Sequence, residues 1–316
     1  MTGRFTERLA AAEPTEILGA PQGILDFEFS APLDFSRTLA YISRYEIAQS
    51  PDTGSGTLRQ VLADSAGYFL VEIRPLGPRR VTAVQLTGRS SARRETLIRK
   101  YVARTFGSDR DLLAFYRFAK RDPILAGLVR RFRGARVVGI ADLWECLVWS
   151  IIGQQISVAA AFSVRSRLAR RAGAVVKWRG SEYEGFPRTT DVLKLGAGAL
   201  HTCSLTRQKS QYVLGIAEAM LAGELDEAKI TALPFDEARQ QLLHLRGIGP
   251  WSAEYAMMRV MLDPDACPRE DIGLRNALGE VFRLGRQAGV EETKHFTAKW
   301  KPFRGHATFY LWQTLL

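Results

Sequence analysis

Cysteine and histidine are scarce: three and four residues in a chain of 316. Cys146, Cys203 and Cys267 are far apart and odd in number, so they form neither a disulfide framework nor a close metal-ligand set. The histidines are equally scattered, and neither HExxH nor CxxC occurs, which argues against a protein-bound metal centre. Long apolar runs are missing as well. None reaches membrane-spanning length, and residues 1–19 (MTGRFTERLAAAEPTEILG) are too polar for a signal peptide. These absences predict a cytoplasmic protein with no membrane partner. Acid is in deficit: 33 Asp+Glu face 44 Lys+Arg, a net charge of +11. Such an excess favours a polyanionic partner, because cationic side chains displace the counterions condensed on phosphates. The remainder is ordinary, 46% hydrophobic and 24% charged, enough for two or three well-filled domains.

Residues 1–22 read as a loose leader. Leu25, Phe27 and Phe29 then alternate with polar residues, the period of a strand. A helix is predicted from Asp34 to about Tyr45, followed by a turn-rich break at Pro51–Gly56. Three more strands are expected over 57–64, 68–74 and 80–86, with Phe69, Val71 and Ile73 marking the middle one. A helix over 92–106 closes an α+β domain, residues 23–107, built on an antiparallel sheet. From Asp109 the strand signals stop. Helices are predicted near 109–120, 123–132, 141–152, 157–171, 206–222, 235–245, 250–262, 271–283 and 305–315, with no internal repeat. Residues 108–316 therefore form an all-α region, and the Gly- and Arg-containing patch 175–187 reads as an irregular surface excursion.

The most informative segment is Leu245-Arg246-Gly247-Ile248-Gly249-Pro250-Trp251. One helix ends at Leu245, the two glycines make a tight hairpin around Ile248, and Pro250 opens the next helix. Glycine tolerates positive φ and lets backbone approach a ligand closely. Proline suits the first helical position, where its missing N–H costs nothing. The hairpin thus offers free N–H groups at a helix N-terminus, a seat for phosphate. Beyond that helix, eight residues lead to Asp271. A helix over 250–262 spans roughly 20 Å, and eight extended residues reach about 26 Å, so the chain can bring the Asp271 carboxylate back toward the hairpin. Read alone, an aspartate in this setting is more often a helix N-cap than a catalyst.

The whole pattern, Leu-x-Gly-Ile-Gly-Pro-Trp-x-Ala followed by a Gly/Pro-rich loop and an aspartate, resembles the signature of the helix-hairpin-helix DNA glycosylases. Three further segments, Leu143–Ala159, Trp300–Ala307 and Ala31–Ser36, are similar to the bacterial 3-methyladenine DNA glycosylase II branch of that superfamily. The resemblance covers about residues 25–316. It implies an N-terminal sheet domain like half of a TATA-binding-protein fold, followed by an all-α glycosylase region in two helical subdomains. It implies that Leu245, Arg246, Gly247, Ile248 and Gly249 grip the DNA backbone, and that Asp271 is catalytic, Glu270 and Asp265 matching the motif less well. Trp251, Tyr255, Trp300 and Tyr41 would line the base pocket. The wedge that fills the gap left by a flipped nucleotide would be Gln155, polar where the family has an apolar residue, or its neighbour Ile156. The family also implies a monovalent cation, Na+ or K+, on the carbonyls of Leu243, Leu245 and Ile248. Bifunctional members carry a Schiff-base lysine where Trp251 stands, so the resemblance implies hydrolysis to an abasic site without strand scission. A C-terminal four-cysteine iron–sulfur cluster is not expected, since the last cysteine is Cys267. The expected partner is double-stranded DNA carrying alkylated bases, acted on by a monomer associated with the bacterial nucleoid. The competing readings are a bifunctional lyase for oxidised bases and a non-catalytic damage-binding protein.

Overall fold

The computed structural model describes residues 15–16, 23–45, 56–107 and 109–316. The expected leader, apart from 15–16, and the turn at 51–55 lie outside the described residues. Strands β1 (Thr15–Glu16), β2 (Ile24–Glu28), β3 (Leu58–Asp64), β4 (Gly67–Gly77) and β5 (Arg80–Gln85) form one antiparallel sheet in the order β1-β2-β5-β4-β3. β1 corrects the reading of 1–22 as leader: Thr15 and Glu16 pair with Glu28 and Phe27 and extend the sheet by one short edge. Two residues carry no periodicity, so only the unpaired backbone of β2 could reveal them.

Alternation decides which side of the sheet meets the core. Phe69, Val71 and Ile73 are fully buried on one face with Phe27, Val81 and Ala83. They pack with helices α1 (Phe35–Tyr45) and α2 (Ala92–Phe106), where Phe106 contacts the rings of Phe29 and Phe35. Asp34 caps α1 through the Arg37 N–H (2.9 Å), and Ser91 caps α2 through the Arg94 N–H (3.3 Å). On the other face, Val61 and Leu70 bury against Tyr183. Tyr183 belongs to a hairpin, β6 (Val175–Trp178) and β7 (Ser181–Glu184), inside the stretch expected to be irregular. Its turn residues, Arg179 and Gly180, both have positive φ (48° and 80°). That is the backbone of a tight two-residue hairpin turn, but Arg-Gly lacks the Asn-Gly signal that usually announces one.

The rest is helical: α3 (Asp109–Ala119), α4 (Pro123–Arg131), α5 (Leu143–Gly153), α6 (Val158–Arg171), α7 (Thr189–Thr202), α8 (Arg207–Leu221), α9 (Glu227–Ala232), α10 (Phe235–Leu243), α11 (Pro250–Arg259), α12 (Ile272–Val281), α13 (Val290–Ala298) and α14 (Arg304–Trp312). Helices α7, α9 and α13 were not expected from sequence. α7 is broken by Gly196 at φ 68°, and two glycines in a short segment mask its periodicity. Sheet and helices share one core. A buried Arg136 guanidinium fastens the seam by donating to the carbonyls of Ala31, Pro32 and Phe106 at 2.8–3.1 Å. No helix of the described residues is long and apolar enough to cross a membrane. The three cysteines are free and buried.

Candidate active site

The predicted hairpin forms between α10 and α11. Gly247 adopts φ 90°, and a Cβ there would lie 2.3 Å from the Tyr212 ring of α8, so both backbone conformation and space demand glycine. Ile248 is buried and anchors the turn, whereas Arg246 is exposed. Gly249 is the N-cap of α11 and has no side chain to occupy the N–H groups beyond it, and Pro250 takes the first turn. A helix N-terminus left uncapped in this way attracts phosphate.

Helix α11 then turns from backbone to side-chain work. Trp251, Tyr255 and Arg259 recur every four residues and share one face. Trp251 stacks on Tyr255 at 4.9 Å and 17°. Arg259, fully buried, donates to the hydroxyls of Tyr255 (2.9 Å) and Tyr41 (3.0 Å), tying α1 of the sheet region to α11. Burial pushes the Tyr255 phenol well above its usual value, so it stays neutral. These rings, with Trp149 and Trp312, wall a cleft of ≈ 860 Å³.

Asp271 sits on that wall and is at the same time a helix N-cap. It is the N-cap of α12, with Oδ1 accepting from the Leu274 N–H at 2.7 Å. Oδ1 also accepts from the Trp312 indole (2.9 Å), and Oδ2 accepts from the Trp251 indole (3.0 Å). Three donors fix the orientation of both oxygens. The loop that returns Asp271 from the end of α11 is held elsewhere. Glu254 accepts from the Cys267 N–H (2.9 Å), and Asp265 takes a bidentate pair from Arg304 (2.8 and 2.7 Å). Asp265 is therefore a structural anchor of this loop. Glu270 is exposed on the cleft rim.

One expected pocket residue is elsewhere. Trp300 is completely buried and does not line the cleft; the indole that does is Trp312, twelve residues on and one helix further. The segment compared with the family stopped at Ala307, short of it. Nothing in the spacing distinguishes the two tryptophans, since each precedes or ends a helix rich in aromatics. Trp149 and Arg259 were also missed, both lying in runs that read as plain core. No lysine is among the residues lining the cleft.

Gln155 and Ile156 stand on the cleft rim between α5 and α6. Gln155 is exposed and held at φ 60°, and Ile156 is 40% exposed. Facing solvent nearby are Val158 at the start of α6 and Ile272 at the start of α12, so three of the few exposed large apolar residues surround one opening. The two wedge candidates thus stand beside an exposed apolar patch at the mouth of the cleft.

Residues 148–303 match the model of the HhH-GPD superfamily base excision DNA repair proteins. The chain is 33% identical over 285 residues to a DNA-3-methyladenine glycosylase of Bacillus subtilis, covering 89% of this chain and 94% of that relative. Among solved structures it is similar to the 3-methyladenine DNA-glycosylase from Archaeoglobus fulgidus (TM-score 0.77, 23% identity, 91% and 96% of the two chains). It is also similar to a Clostridium acetobutylicum 8-oxoguanine glycosylase/lyase in complex with double-stranded DNA (TM-score 0.63, 20% identity, 81% and 87%). The fold is therefore common to a 3-methyladenine glycosylase and an 8-oxoguanine glycosylase/lyase, and does not by itself separate their activities. Hairpin, aspartate and relatives converge: this chain belongs to the HhH-GPD superfamily of base excision DNA repair proteins.

Proposed function

We propose that the protein is a monofunctional DNA glycosylase that flips alkylated bases of the 3-methyladenine type into the aromatic cleft and hydrolyses their N-glycosidic bond. The observation that carries this reading is the Asp271 carboxylate, fixed by two cleft-wall indoles in a site lined by no lysine. As the C1′–N bond breaks, the electron pair leaves with the base and positive charge builds on the sugar. A preoriented carboxylate stabilises that charge and orients the water whose oxygen attacks C1′. Among the described residues no lysine lines the cleft to form a Schiff base, which supports an abasic site as the product. A cationic alkylated base gains cation–π attraction from the walls and is neutralised as it departs. Such a pocket needs no strong general acid.

Backbone grip and wedge prepare the substrate. The hairpin seats on phosphates while Gln155 or Ile156 fills the gap left by the flipped nucleotide, a step that costs a few kcal/mol and is cheapest at damaged bases. The carbonyls of Leu243 and Ile248 accept no backbone hydrogen bond among the described residues, and that of Leu245 accepts from Ile248 N–H at 3.1 Å. The carbonyls of Leu243, Leu245 and Ile248 would hold a Na+ or K+ ion, whose positive charge would add to the attraction of the hairpin for phosphate. Replacing alkali cations by tetramethylammonium at constant ionic strength then weakens duplex binding; unchanged binding removes the ion from the mechanism. The cleft is complete within one chain, which supports a monomer as the active species.

The decisive test is incubation with methylated duplex DNA. Free 3-methyladenine or 7-methylguanine is expected without strand scission. A borohydride-trapped protein–DNA adduct overturns the hydrolytic reading, and binding without release leaves a damage-binding protein.

A further inference from the structure

Helix α8 carries no residue of the cleft, yet two of its side chains reach both DNA-facing loops. The Lys209 ammonium donates to the carbonyls of Ile152 (2.9 Å) and Gln154 (2.7 Å). Ile152 belongs to the last turn of α5, whose carbonyls have no helical partner, and a cation there also meets the negative end of the helix dipole. Gln154 lies immediately before Gln155, the residue held in the left-handed region. A non-glycine residue in that conformation persists only where its surroundings over-determine it. Here they do, because Gln154 is held at both ends. Its carbonyl is on Lys209, and its side-chain amide donates to the carbonyl of Gly247 in the hairpin at 2.8 Å. One turn along α8, the Tyr212 ring fills the space that a side chain at Gly247 would need.

We infer that Lys209 and Gln154 are positioning residues that lock the wedge loop to the backbone-gripping hairpin. The hairpin's seat on phosphate then fixes the depth and angle at which Gln155 and Ile156 enter the stack. Binding and flipping become one rigid motion, with Gln154 the direct strut between the two loops and Lys209 the clamp on its base. The inference rests on the flipping reading above, but it concerns how the wedge is aimed and says nothing of the bond that is cut.

The test uses the full chain, its Lys209→Met and Gln154→Leu variants, and duplexes bearing 2-aminopurine beside an alkylated base. Wild type is expected to bind and to raise the fluorescence as the neighbour unstacks. The variants should bind undamaged duplex within about twofold of wild type and melt normally, yet lose most of the fluorescence rise. Their excision rate should fall at least about tenfold on a fully paired lesion. It should fall much less when an abasic site faces the lesion, where little stacking or pairing has to be broken. Lys209→Arg, which keeps the cation, should recover much of the signal. Equal losses on paired and unpaired lesions, or a normal fluorescence rise in both variants, overturn the inference. If wild type unstacks the duplex but releases no base, the glycosylase reading fails while the lock stands or falls on fluorescence alone.

Discussion

The hairpin ends at Gly249 and the cleft wall begins at Trp251, one residue into the next helix, yet the two are built from opposite materials. At the turn of the hairpin, side chains are absent or turned inward: Gly247 and Gly249 have none, and Ile248 between them is buried, with Arg246 exposed beside them. In the cleft, aromatic side chains from α1, α5, α11 and α14 form the walls, and two of their indoles, Trp251 and Trp312, hold the Asp271 carboxylate. A phosphate repeats along every DNA, so backbone N–H groups suffice to hold it. A developing charge at one sugar carbon requires a group fixed in one place, and three donors from three segments provide that fixity. The first site is local in sequence, whereas the second is assembled by the fold.

The comparison predicts that chemistry and grip can be lost separately. The largest expected effect is in Asp271→Asn. An amide keeps the size and can still interact with Leu274 N–H, but the negative charge is gone. Base release at saturating DNA should fall by about 10²–10³, while affinity for an abasic duplex changes by only a few fold. A variant that releases methylated bases at the wild-type rate would move the chemistry away from this carboxylate.

Gly247→Ala should show the converse. The new methyl group meets the Tyr212 ring at 2.3 Å and must hold φ near 90°. Steric strain and overlap together cost roughly 2–4 kcal/mol, and the hairpin must shift to relieve them. Duplex affinity, measured across a salt series, should drop about tenfold or more with a shallower salt dependence. The release rate at saturation should remain within a few fold of wild type on a lesion that faces an abasic site, where little has to be unstacked and the aim of the wedge matters least. A parallel fall in both quantities would mean that hairpin and cleft are one functional unit.

The same contrast explains what could be read from sequence. The hairpin was legible to the residue, because Gly-Ile-Gly-Pro states its own backbone geometry. The sheet was legible too, from the alternation of Phe69, Val71 and Ile73, except for the two-residue edge at Thr15–Glu16. Asp271 was reachable because the eight-residue return was geometrically permitted and the family pattern selected it. The cleft walls were only half legible. Tyr41, Trp251 and Tyr255 were placed correctly, while Trp300 was chosen over Trp312, since tryptophans in neighbouring apolar segments differ only in which way the fold turns them. Arg259 gave no signal at all, because a buried arginine is recognised only by the hydroxyls it serves.

Trp312→Phe probes one of the three donors on Asp271. The ring and its wall contact persist, but the 2.9 Å bond to Oδ1 is lost. A hydrogen bond to a charged group contributes about 1.5–3 kcal/mol. Because the Trp251 indole and Leu274 N–H still orient the carboxylate, the smaller end applies, about tenfold in release rate. An effect as large as that of Asp271→Asn would show that the indole touches the reacting atoms as well as positioning their partner.

The smallest effect on release is expected for Trp300→Phe, and it separates the two tryptophans most directly. Trp300 is wholly buried and lines no part of the cleft, so trimming its indole to a phenyl ring removes packing, at about 1–3 kcal/mol of stability. Melting temperature should fall by a few degrees, while release per folded molecule stays within about twofold of wild type and lesion preference is unchanged. Trp312→Phe should lower the melting temperature by a similar amount, since that ring too is buried, but should slow release as well, because its indole N–H serves the carboxylate. If instead Trp300→Phe altered which methylated bases are released, the pocket would have to extend beyond the wall formed by Trp251, Tyr255 and Trp312, and the division of labour between a solid core and an aromatic cleft would have to be redrawn.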